Sequence, residues 1–511
     1  MMDKSRTLAA LLALAGGSAL AQDYAADPTF NGGNYFVDAF SGSATRSYRA
    51  RSLVRLGNGD VIVAGLVPRR DSSGGDSTAL GLVRYNSAGA RQTWANPGAY
   101  GAFGNQYVIY DPALLAPRPV EDVKDIVAIG NRVFVLVETQ RYALRNQPPF
   151  GAYFAGHAVD VLVFGVDGSY QAAATMMDDA NVDARDVYGG GIAVYSNLQL
   201  PEAFSLVYGG TSVENGIQRA VFRRYSVGST DLTDVTGVVY PNPSNYCSAP
   251  QRCDITGVAL GGRSVGSSVP RIYLGGSHFV ANWDFMAMRV SASGVPATDF
   301  GTGGVRQVGF NISGDNLNDV GRAIAVKAGG SVGGNSDEVY VAGDVSVRCG
   351  DGVGVVKLLA DGNPDTTWGP GDLGRSYFGS AQVPADQPCF LPATNRFVHG
   401  LALQDGNVAL VGQTNRGSII VGGELQVDSY FALLGSDGYV AFDAEFPYRE
   451  GGTRARHSGL WDVDAAGNGA FTATGDVRFY ASATGGTAGN MQYATLRVAP
   501  RTDLIFANGF Q

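Results

Sequence analysis

The sequence predicts an all-β protein, and two observations support this prediction. Glycine accounts for 72 of the 511 residues, only 16% of residues are charged, and the glycines separate short hydrophobic runs. That spacing is typical of strands joined by turns. The stretch 299–369 contains three such runs and begins and ends with an Asp, an aromatic residue and a glycine. It predicts one small sheet, which cannot cover both of its faces and therefore needs packed copies of itself.

Seven copies of this unit recur along the chain, with starts roughly 65 to 70 residues apart. The middle strand of the unit is a hydrophobic run that often ends in small residues, and its copies are 60–65, 132–138, 204–210, 271–276, 338–344, 407–412 and 470–476. A shorter strand precedes each copy, at 51–56, 123–129, 184–190, 255–260, 322–328, 398–403 and 460–465. A third strand follows, at 80–89, 159–168, 219–228, 285–294, 353–362, 430–438 and 493–500. Several of these close on D-G, S-G or A-G, whose glycine supplies the positive φ of a tight turn.

The termini favour a ring of sheets. Seven sheets in series close most economically as a seven-bladed β-propeller of four-stranded antiparallel sheets, and an open solenoid is the alternative. The segment after each third strand is expected to form the fourth strand. The chain begins within such a segment, at 27–40, whereas the seventh unit has little room for a fourth strand. We therefore expect 35–40 to pair beside 493–498, so that the N-terminal strand closes the last blade.

The repeat motifs resemble a known family. The stretches D-P-T-F-N-G-G (27–33), L-G-N-G-D-V-I-V-A-G (56–65) and T-D-F-G-T-G-G-V (298–305) are similar to the delta-60 repeat of bacterial secreted proteins. The match is close in units one, four and five, looser in six and seven, and eroded in two and three. The resemblance covers most of 27–500 and implies a propeller-like extracellular scaffold, which we expect to span 22–500. It brings no catalytic residues, because the repeat motif consists of turn and core positions.

The N-terminus has the pattern of a secretory signal peptide over 1–21. Lys4 and Arg6 precede an apolar run at 8–15, and the segment ends on the small-residue site A-L-A at Ala21. A buried first helix is the alternative. No later stretch has the length of apolar residues that spans a bilayer. We expect an exported monomer that is secreted or held at the cell surface, with a periplasmic location left open.

The last residues, 501–511, form a separate tail. They contain D-L-I-F-A-N-G-F, which is similar to a short ending found on some exported bacterial proteins, where a role in sorting is suspected. A decayed outer strand, aligned with 299–304, is the competing interpretation, since short motifs often match by chance.

Four cysteines fit an oxidising compartment. Cys247 and Cys253 enclose a short Pro/Ser/Asn loop, whereas Cys349 and Cys389 lie in turn-like segments of successive units. Four cysteines allow three pairings, and we favour Cys247–Cys253 with Cys349–Cys389 over another pairing or free thiols. The absence of C-x-x-C leaves no signal for a redox motif or a zinc site.

The sequence contains no motif for a nucleophile or for phosphate binding, so no catalytic residue and no resident cofactor is predicted. Histidine is scarce. His399 and His457 fall at first strands and could share the mouth of an axial channel, whereas His157 and His278 fall elsewhere. Structural roles are the alternative for all four.

Calcium is the metal that the sequence favours most, although weakly. Asp315 and Asp319 in G-D-N-L-N-D, and Asp361 and Asp365 in D-G-N-P-D, place oxygen ligands on loops, as Ca²⁺ requires. Neither segment matches an EF-hand loop. Asp, Asn and Gly are also ordinary turn residues, which is the competing explanation.

The predicted function is a non-enzymatic scaffold that binds a protein or glycan outside the cell. The formal net charge of −9 argues against nucleic acid as a partner. The insertions 101–119, 141–156 and 378–396 are expected to be binding or merely decorative loops. An extracellular hydrolase or lyase with a site in the axial channel is the alternative. It predicts acids, His or Arg converging at the axis with shifted pKa values, whereas a scaffold predicts Gly and small side chains there.

Overall fold

The computed structural model confirms an all-β chain. It describes residues 24–31, 36–38, 47–70, 76–96, 106–110, 119–145, 151–179, 187–197, 200–214, 216–228, 231–241, 247, 251–264, 266–312, 317–329, 336–379, 394–421, 424–450, 453–454, 457–480 and 488–500. The predicted leader 1–21, the tail 501–511, most of 101–119 and most of 378–396 lie outside these residues, and the predictions for them stay predictions. Where 101–119 is described, the loop prediction is wrong, because Tyr107–Tyr110 form a buried outer strand.

Two short strands, β1 (Tyr24–Ala26) and β2 (Phe36–Asp38), come first. Sheet 1 consists of β3 (Arg49–Arg55), β4 (Val61–Arg70), β5 (Asp76–Tyr85) and β6 (Tyr107–Tyr110). Sheet 2 consists of β7 (Val120–Ile129), β8 (Arg132–Arg145), β9 (Gly151–Gly165) and β10 (Tyr170–Asp179). Sheet 3 consists of β11 (Val187–Asn197), β12 (Leu200–Glu214), β13 (Ile217–Val227) and β14 (Leu232–Asp234).

Sheet 4 consists of β15 (Arg252–Arg263), β16 (Pro270–Phe279), β17 (Trp283–Val290) and β18 (Val305–Val308). Sheet 5 consists of β19 (Asp319–Lys327), β20 (Glu338–Val347), β21 (Gly350–Leu358) and β22 (Arg375–Phe378). All five sheets are antiparallel, with their strands in chain order. The predicted first, middle, third and outer strands of each unit are therefore confirmed in these sheets.

Sheet 6 has nine strands in two halves. The first half is β23 (Thr394–Gln404), β24 (Asn407–Val421), β25 (Glu424–Leu434) and β26 (Val440–Glu445), followed by a small separate hairpin of β27 (Arg449–Glu450) and β28 (Thr453–Arg454). The second half is β29 (His457–Gly467), β30 (Ala470–Tyr480) and β31 (Ala488–Pro500), with β1 and β2 both paired to β31. A single parallel pair, Val427 with His457, joins the halves.

Consecutive sheets pack face to face through their first strands. β3 contacts β7, and the series continues through β11, β15, β19, β23 and β29, which in turn contacts β3. Buried apolar clusters fill each junction, for example Leu82 with Val135 between sheets 1 and 2, and Tyr493 of β31 with the core of sheet 1. Small antiparallel sheets whose two faces are covered by their neighbours are propeller-type architecture.

The predicted pairing of the N-terminal segment with the last strand is confirmed. Phe36 pairs with Thr495 and Asp38 with Tyr493, within the predicted 35–40 and 493–498. Upstream, β1 pairs with the end of β31, from Tyr24 opposite Pro500 to Ala26 opposite Val498. A strand from the start of the chain therefore completes the sheet formed by its end.

The outer phrase, which is the segment after each third strand, joins several sheets to the next through an aromatic ring. The ring packs beneath the turn glycine of the following sheet, where a Cβ atom would lie 3.2 Å or less from it, in the pairs Phe30 with Gly89, Trp94 with Gly168 and Trp368 with Gly438. Phe30 and Trp368 end D-x-x-F/W motifs, whereas Arg91 takes the Asp position before Trp94. Those glycines have φ of 81°, 94° and 82°, as the D-G, S-G and A-G dipeptides predict. A backbone N–H just after the ring then donates to the carbonyl before the glycine, as Gly369 does to Asp437 at 2.8 Å.

One predicted loop is a strand extension. Residues 141–156 were expected to form a surface insertion, but Arg141 pairs with Gly156 and Arg145 with Gly151, so the segment lengthens the hairpin of β8 and β9. The strand pattern continues through Tyr142, Ala143 and Leu144, whose β-propensity outweighs the turn-like composition beyond them.

The cysteine prediction is confirmed for one pair. Cys247 and Cys253 form a disulfide across six positions of chain. Cys349 is also disulfide-bonded, and its predicted partner Cys389 lies outside the described residues. The Cys247–Cys253 bond ties the start of sheet 4 to the connection that leads into it.

Candidate functional site

Each first strand contains a β-bulge at the corresponding position. A bulge leaves an extra residue out of the ladder and re-aims its side chain. The register shifts once in each of β3, β19 and β23 and twice in each of β7, β11, β15 and β29, and in every strand one shift falls at the corresponding site. The residues at those sites, which we call the bulge ring, are Arg51, Lys124, Gly189, Gly190, Thr256, Arg322, His399 and Trp461.

Trp461 is the centre of a stack in the bulge ring. The His399 ring lies 4.1 Å from the Trp461 ring, centroid to centroid, with 27° between their planes. The Arg51 guanidinium lies 4.2 Å from the Trp461 centroid. Because β23 and β3 flank β29 on opposite sides, His399 and Arg51 cover the two faces of the indole. The indole N–H donates to Asp476 at 3.1 Å.

Ion pairs continue the bulge ring on both sides of this stack. Asp122 accepts from Arg51 Nε at 3.1 Å and lies 2.9 Å from Lys124 Nζ. Burial alone would raise the pKa of Asp122, but the Lys124 and Arg51 charges outweigh burial and lower it. On the other side, Arg322 Nε donates to Asp344 at 2.9 Å, and 43% of the Arg322 side chain is exposed.

Polar side chains on the second strands hold the bulges in place. The acceptors are Glu138, Thr211, Ser277 and Asp344, and each takes the backbone N–H just before or at the bulge of the next sheet. The four bonds are Gly189 to Glu138 at 2.7 Å, Ile255 to Thr211 at 2.8 Å, Gly321 to Ser277 at 2.9 Å and Val398 to Asp344 at 2.9 Å. These bonds satisfy strand-edge N–H groups that the ladders leave unpaired.

Two aspartates next to the bulge ring also accept backbone N–H groups from the next sheet. Asp462 accepts from Leu53 N at 2.9 Å and from the Ser52 hydroxyl at 2.6 Å, and Asp125 accepts from Ile192 N at 2.9 Å. Burial raises the pKa of Asp125 to about 7 and the pKa of Asp462 to about 6, and the negative charge of Asp462 adds to the shift of Asp125.

The raised pKa values predict a decline in stability with pH. Between the ordinary Asp pKa and about 7, the folded protein holds protons on Asp125 and Asp462 that the unfolded chain has released. The free energy of unfolding should therefore fall as pH rises from about 4 to 7. Asp125→Asn should flatten this slope in urea unfolding followed at several pH values. An unchanged slope in the variant would contradict the assignment.

The structure brings two of the four histidines close together, as the sequence predicts. His399 and His457 do lie near one another, since His457 Nε2 is 3.2 Å from Asp476, the acceptor of the Trp461 indole. Burial and the charges of Arg322 and Arg51 lower the pKa of His399 to about 3, so its ring is neutral. His278 is buried and bonded to Gln307 and Gln251, and His157 Nδ1 lies 3.0 Å from Glu121. Those two are structural.

The calcium candidates are occupied by other contacts where they are described. Asp361 accepts from the backbone N–H and side-chain amide of Asn363, and Asp365 bonds Thr367 and lies 2.8 Å from Lys357 Nζ. Asp319 is buried and accepts from Phe310 N at 2.6 Å. Asp315 lies outside the described residues. In the part of the chain that the structure describes, no three His, Cys, Asp or Glu side chains form a metal-binding group.

Adjacent carboxylates point apart, as the strand geometry predicts. Glu121 turns to His157, while Asp122 turns to the bulge ring. Asp337 is bound by the sheet 4 residue Arg271, whereas Glu338 pairs with Lys327 and Lys357. The described side chains of these two pairs thus make different contacts.

No helix in the described ranges has the length and hydropathy needed to cross a bilayer.

Comparison with known proteins gives likeness in shape alone. No family model matches the chain, and no curated protein matches it. Among solved structures, a Trp149Ala mutant of Synechocystis apocarotenoid oxygenase aligns with 59% of this chain and 55% of its own, at 10% identity and a TM-score of 0.32. The chain thus spans about half the length of that protein. The β-propeller domain of the Trilobed protease from Pyrococcus furiosus aligns with 91% of this chain and 100% of its own, at 9% identity and a TM-score of 0.34.

A third solved structure is similar to the chain at the same level. Penicillium chrysogenum alpha-L-arabinanase, complexed with arabinobiose, aligns with 79% of this chain and 99% of its own, at 10% identity and a TM-score of 0.32. Likeness at this level assigns neither a family nor an activity, so the function has to be argued from the bulge ring.

Proposed function

We propose that the chain is an exported, monomeric, seven-bladed β-propeller that closes without a covalent link and binds a ligand or partner without transforming it. In this proposal the bulge ring is the binding site, and the partner is a protein or glycan. The resemblance to the delta-60 repeat supports the same assignment.

Two sets of contacts support ring closure. The two halves of sheet 6 share one backbone pair, so each is a blade in its own right. We call the junction of β31 with the N-terminal residues 24–38 the seam. There, Arg497 of β31 lies 3.8 Å from Asp27, and Arg289 and Asp299 form the corresponding ion pair within one blade. Phe30 then reaches the turn glycine of sheet 1. The seam therefore repeats the contacts found between blades elsewhere.

A disulfide supports export. The Cys247–Cys253 bond is of the kind that persists in oxidising compartments. Together with the predicted leader over 1–21, it favours secretion or display at the cell surface, with the periplasm as the other oxidising location.

The bulge ring does not consist of Gly and small side chains, as the scaffold hypothesis predicts. Only Gly189, Gly190 and Thr256 are small, and the other sheets contribute Arg, Lys, His or Trp. What argues against catalysis is that each carboxylate beside the ring is already engaged. Asp122 holds Arg51 and Lys124, Asp344 holds Arg322 and a backbone N–H, and Asp476 accepts from the Trp461 indole with its Oδ2 while its Oδ1 lies 3.2 Å from His457 Nε2. A general acid, base or nucleophile has to reach the substrate instead.

A hydrolase is the second candidate, because Asp125 and Asp462 have pKa values raised to about 7 and about 6, as a general acid requires. Both carboxylates, however, accept N–H groups from the next sheet.

A ligand screen separates the two functions. Residues 22–511 should bind members of a glycan array or a metabolite library, and Trp461→Ala should abolish that binding. Trp283→Ala, at an aromatic outside the ring, should leave it intact, with folding of both variants checked by circular dichroism. Mass spectrometry should recover the bound ligand unchanged. A cleaved ligand would establish the hydrolase, and ligands unaffected by Trp461→Ala would remove the bulge ring from the proposal.

A further inference from the structure

We infer that the bulge ring recognises a carboxylate group on its ligand. This inference rests on the bulge ring being the binding site and adds the chemical class of what it binds. The observations concern hydrogen-bond donors that lack acceptors, the local charges and the covered faces of Trp461.

Donors in the ring lack acceptors. Arg51 Nη1 and His399 Nε2 are both buried, and neither has a hydrogen-bond partner among the described residues. A guanidinium N–H can only donate, and a buried donor without an acceptor is costly. Arg322 uses Nε for Asp344, and its half-exposed guanidinium reaches toward solvent from the strand next to His399. Arg51 and Arg322 therefore have donor capacity to spare, and His399 Nε2 adds a third donor in the tautomer that carries the ring proton on that nitrogen.

The charges near these donors favour an anion. Lys124 is paired with Asp122 and with Glu138, whose Oε2 lies 3.5 Å from Lys124 Nζ, whereas Arg51 shares Asp122 with Lys124. The cationic charges of Arg322 and Arg51 both act on His399, which is why its pKa is lowered beyond the effect of burial. A carboxylate placed among Arg51, His399 and Arg322 would accept their N–H groups and offset that repulsion. Hydrogen bonds to ionised groups are about twice as strong as neutral ones.

Trp461 does not supply a stacking surface. His399 covers one face of its ring and Arg51 the other. A neutral sugar, which would stack on an exposed aromatic face, therefore gains little at this position. Recognition has to come from the donors, and this argues for a charged acceptor.

The test compares two ligands that differ in one group. Glucuronate has a carboxylate where glucose has a hydroxymethyl group, so glucose is its uncharged counterpart. The ¹⁵N-labelled protein is titrated with each sugar, following the indole N–H signal of Trp461, which is assigned from the spectrum of Trp461→Phe. We expect glucuronate to shift this signal and to bind at least about tenfold more tightly than glucose, since a charged hydrogen bond is worth about 1.5–3 kcal/mol.

Matched variants locate the effect. Arg322→Gln should weaken glucuronate binding about tenfold. Lys327→Gln removes the same charge from a half-exposed residue of the same strand, itself paired with an acid, and should leave binding unchanged. His399→Phe keeps a ring against Trp461 but removes Nε2, and should also weaken binding. In the wild type, glucuronate should raise the pKa of His399, measured from its ring proton shifts, an effect that a merely structural residue would not show.

Two results would overturn the inference. One is equal binding of glucose and glucuronate, and the other is equal weakening by Arg322→Gln and Lys327→Gln. If the library screen finds an uncharged ligand that depends on Trp461, the proposed function stands and this inference fails. If no ligand depends on Trp461, both fail.

Discussion

Replacing Phe30 by alanine should lower the free energy of unfolding by about 3–5 kcal/mol, the usual cost of truncating a fully buried phenylalanine. Only 1% of Phe30 is exposed. Its ring lies under Gly89 of sheet 1, and the Arg497 guanidinium lies 4.8 Å from its centroid. One side chain thus bridges the end of the chain, its start and the first sheet. Urea unfolding at neutral pH measures the loss.

Phe300 offers the matched comparison. It occupies the same position of the outer phrase between sheets 4 and 5, is fully buried, and has the Arg289 guanidinium 5.6 Å from its ring centroid. Phe300→Ala should cost as much as Phe30→Ala, provided that the seam is built like the other junctions. A loss below about 1 kcal/mol for Phe30→Ala, beside a large loss for Phe300→Ala, would show that the seam is not a native junction.

Replacing Asp337 by alanine should cost about 3–5 kcal/mol, because it breaks a buried ion pair and leaves one charge unpaired. Asp337 is 1% exposed. It accepts from Arg271 Nε at 2.6 Å and Nη2 at 2.8 Å, from the Tyr273 hydroxyl at 2.9 Å, and from Gly262 N and Gly329 N at 2.9 and 2.8 Å. This one carboxylate joins sheet 4 to the segment that precedes β20.

The Asp337 effect should depend on pH. Burial alone would raise the pKa of Asp337, but the hydrogen bonds from Arg271, Gly262, Gly329 and Tyr273 lower it. A lowered pKa stabilises the fold above the unfolded-state value and loses that contribution as pH falls through the folded-state value. The difference between wild type and Asp337→Ala should therefore be largest near neutral pH and shrink in acid. Asp405→Asn, at an exposed turn, should change stability by less than about 0.5 kcal/mol at any pH.

The strands were predictable because their signals are local. A hydrophobic run followed by a D-G or S-G dipeptide determines a strand and its turn within about ten residues, as in Val353–Gly362, where Gly362 has φ of 83°. The seam was predictable for another reason. The motif at Asp27–Phe30 resembles the outer motif at Asp299–Phe300, but no predicted third strand precedes it in the chain.

The bulge ring was not predictable from the same signals. A bulge shifts the alternation of a strand by one residue, so the sequence pattern does not show that Arg322 or Trp461 leaves the ladder. The ring also depends on distant partners, such as Ser52 and Asp462, which are 410 residues apart. His399 and His457 were noticed only because histidine is rare. An alignment of the seven predicted first strands on Arg51, Lys124, Thr256 and their equivalents would have shown that most residues of the bulge ring are polar.

The most direct test of the account is a cross-link across the seam. Ala25 and Ala499 are opposite each other in the pairing of β1 with β31, and Cα atoms of such a pair lie about 5.5 Å apart, within reach of a disulfide. Ala25→Cys with Ala499→Cys should oxidise in the native protein, give a tryptic peptide joining residues 25 and 499, and raise the unfolding midpoint. If both thiols stay free under native oxidising conditions, the start and end of the chain do not share a sheet, and the closed ring is wrong.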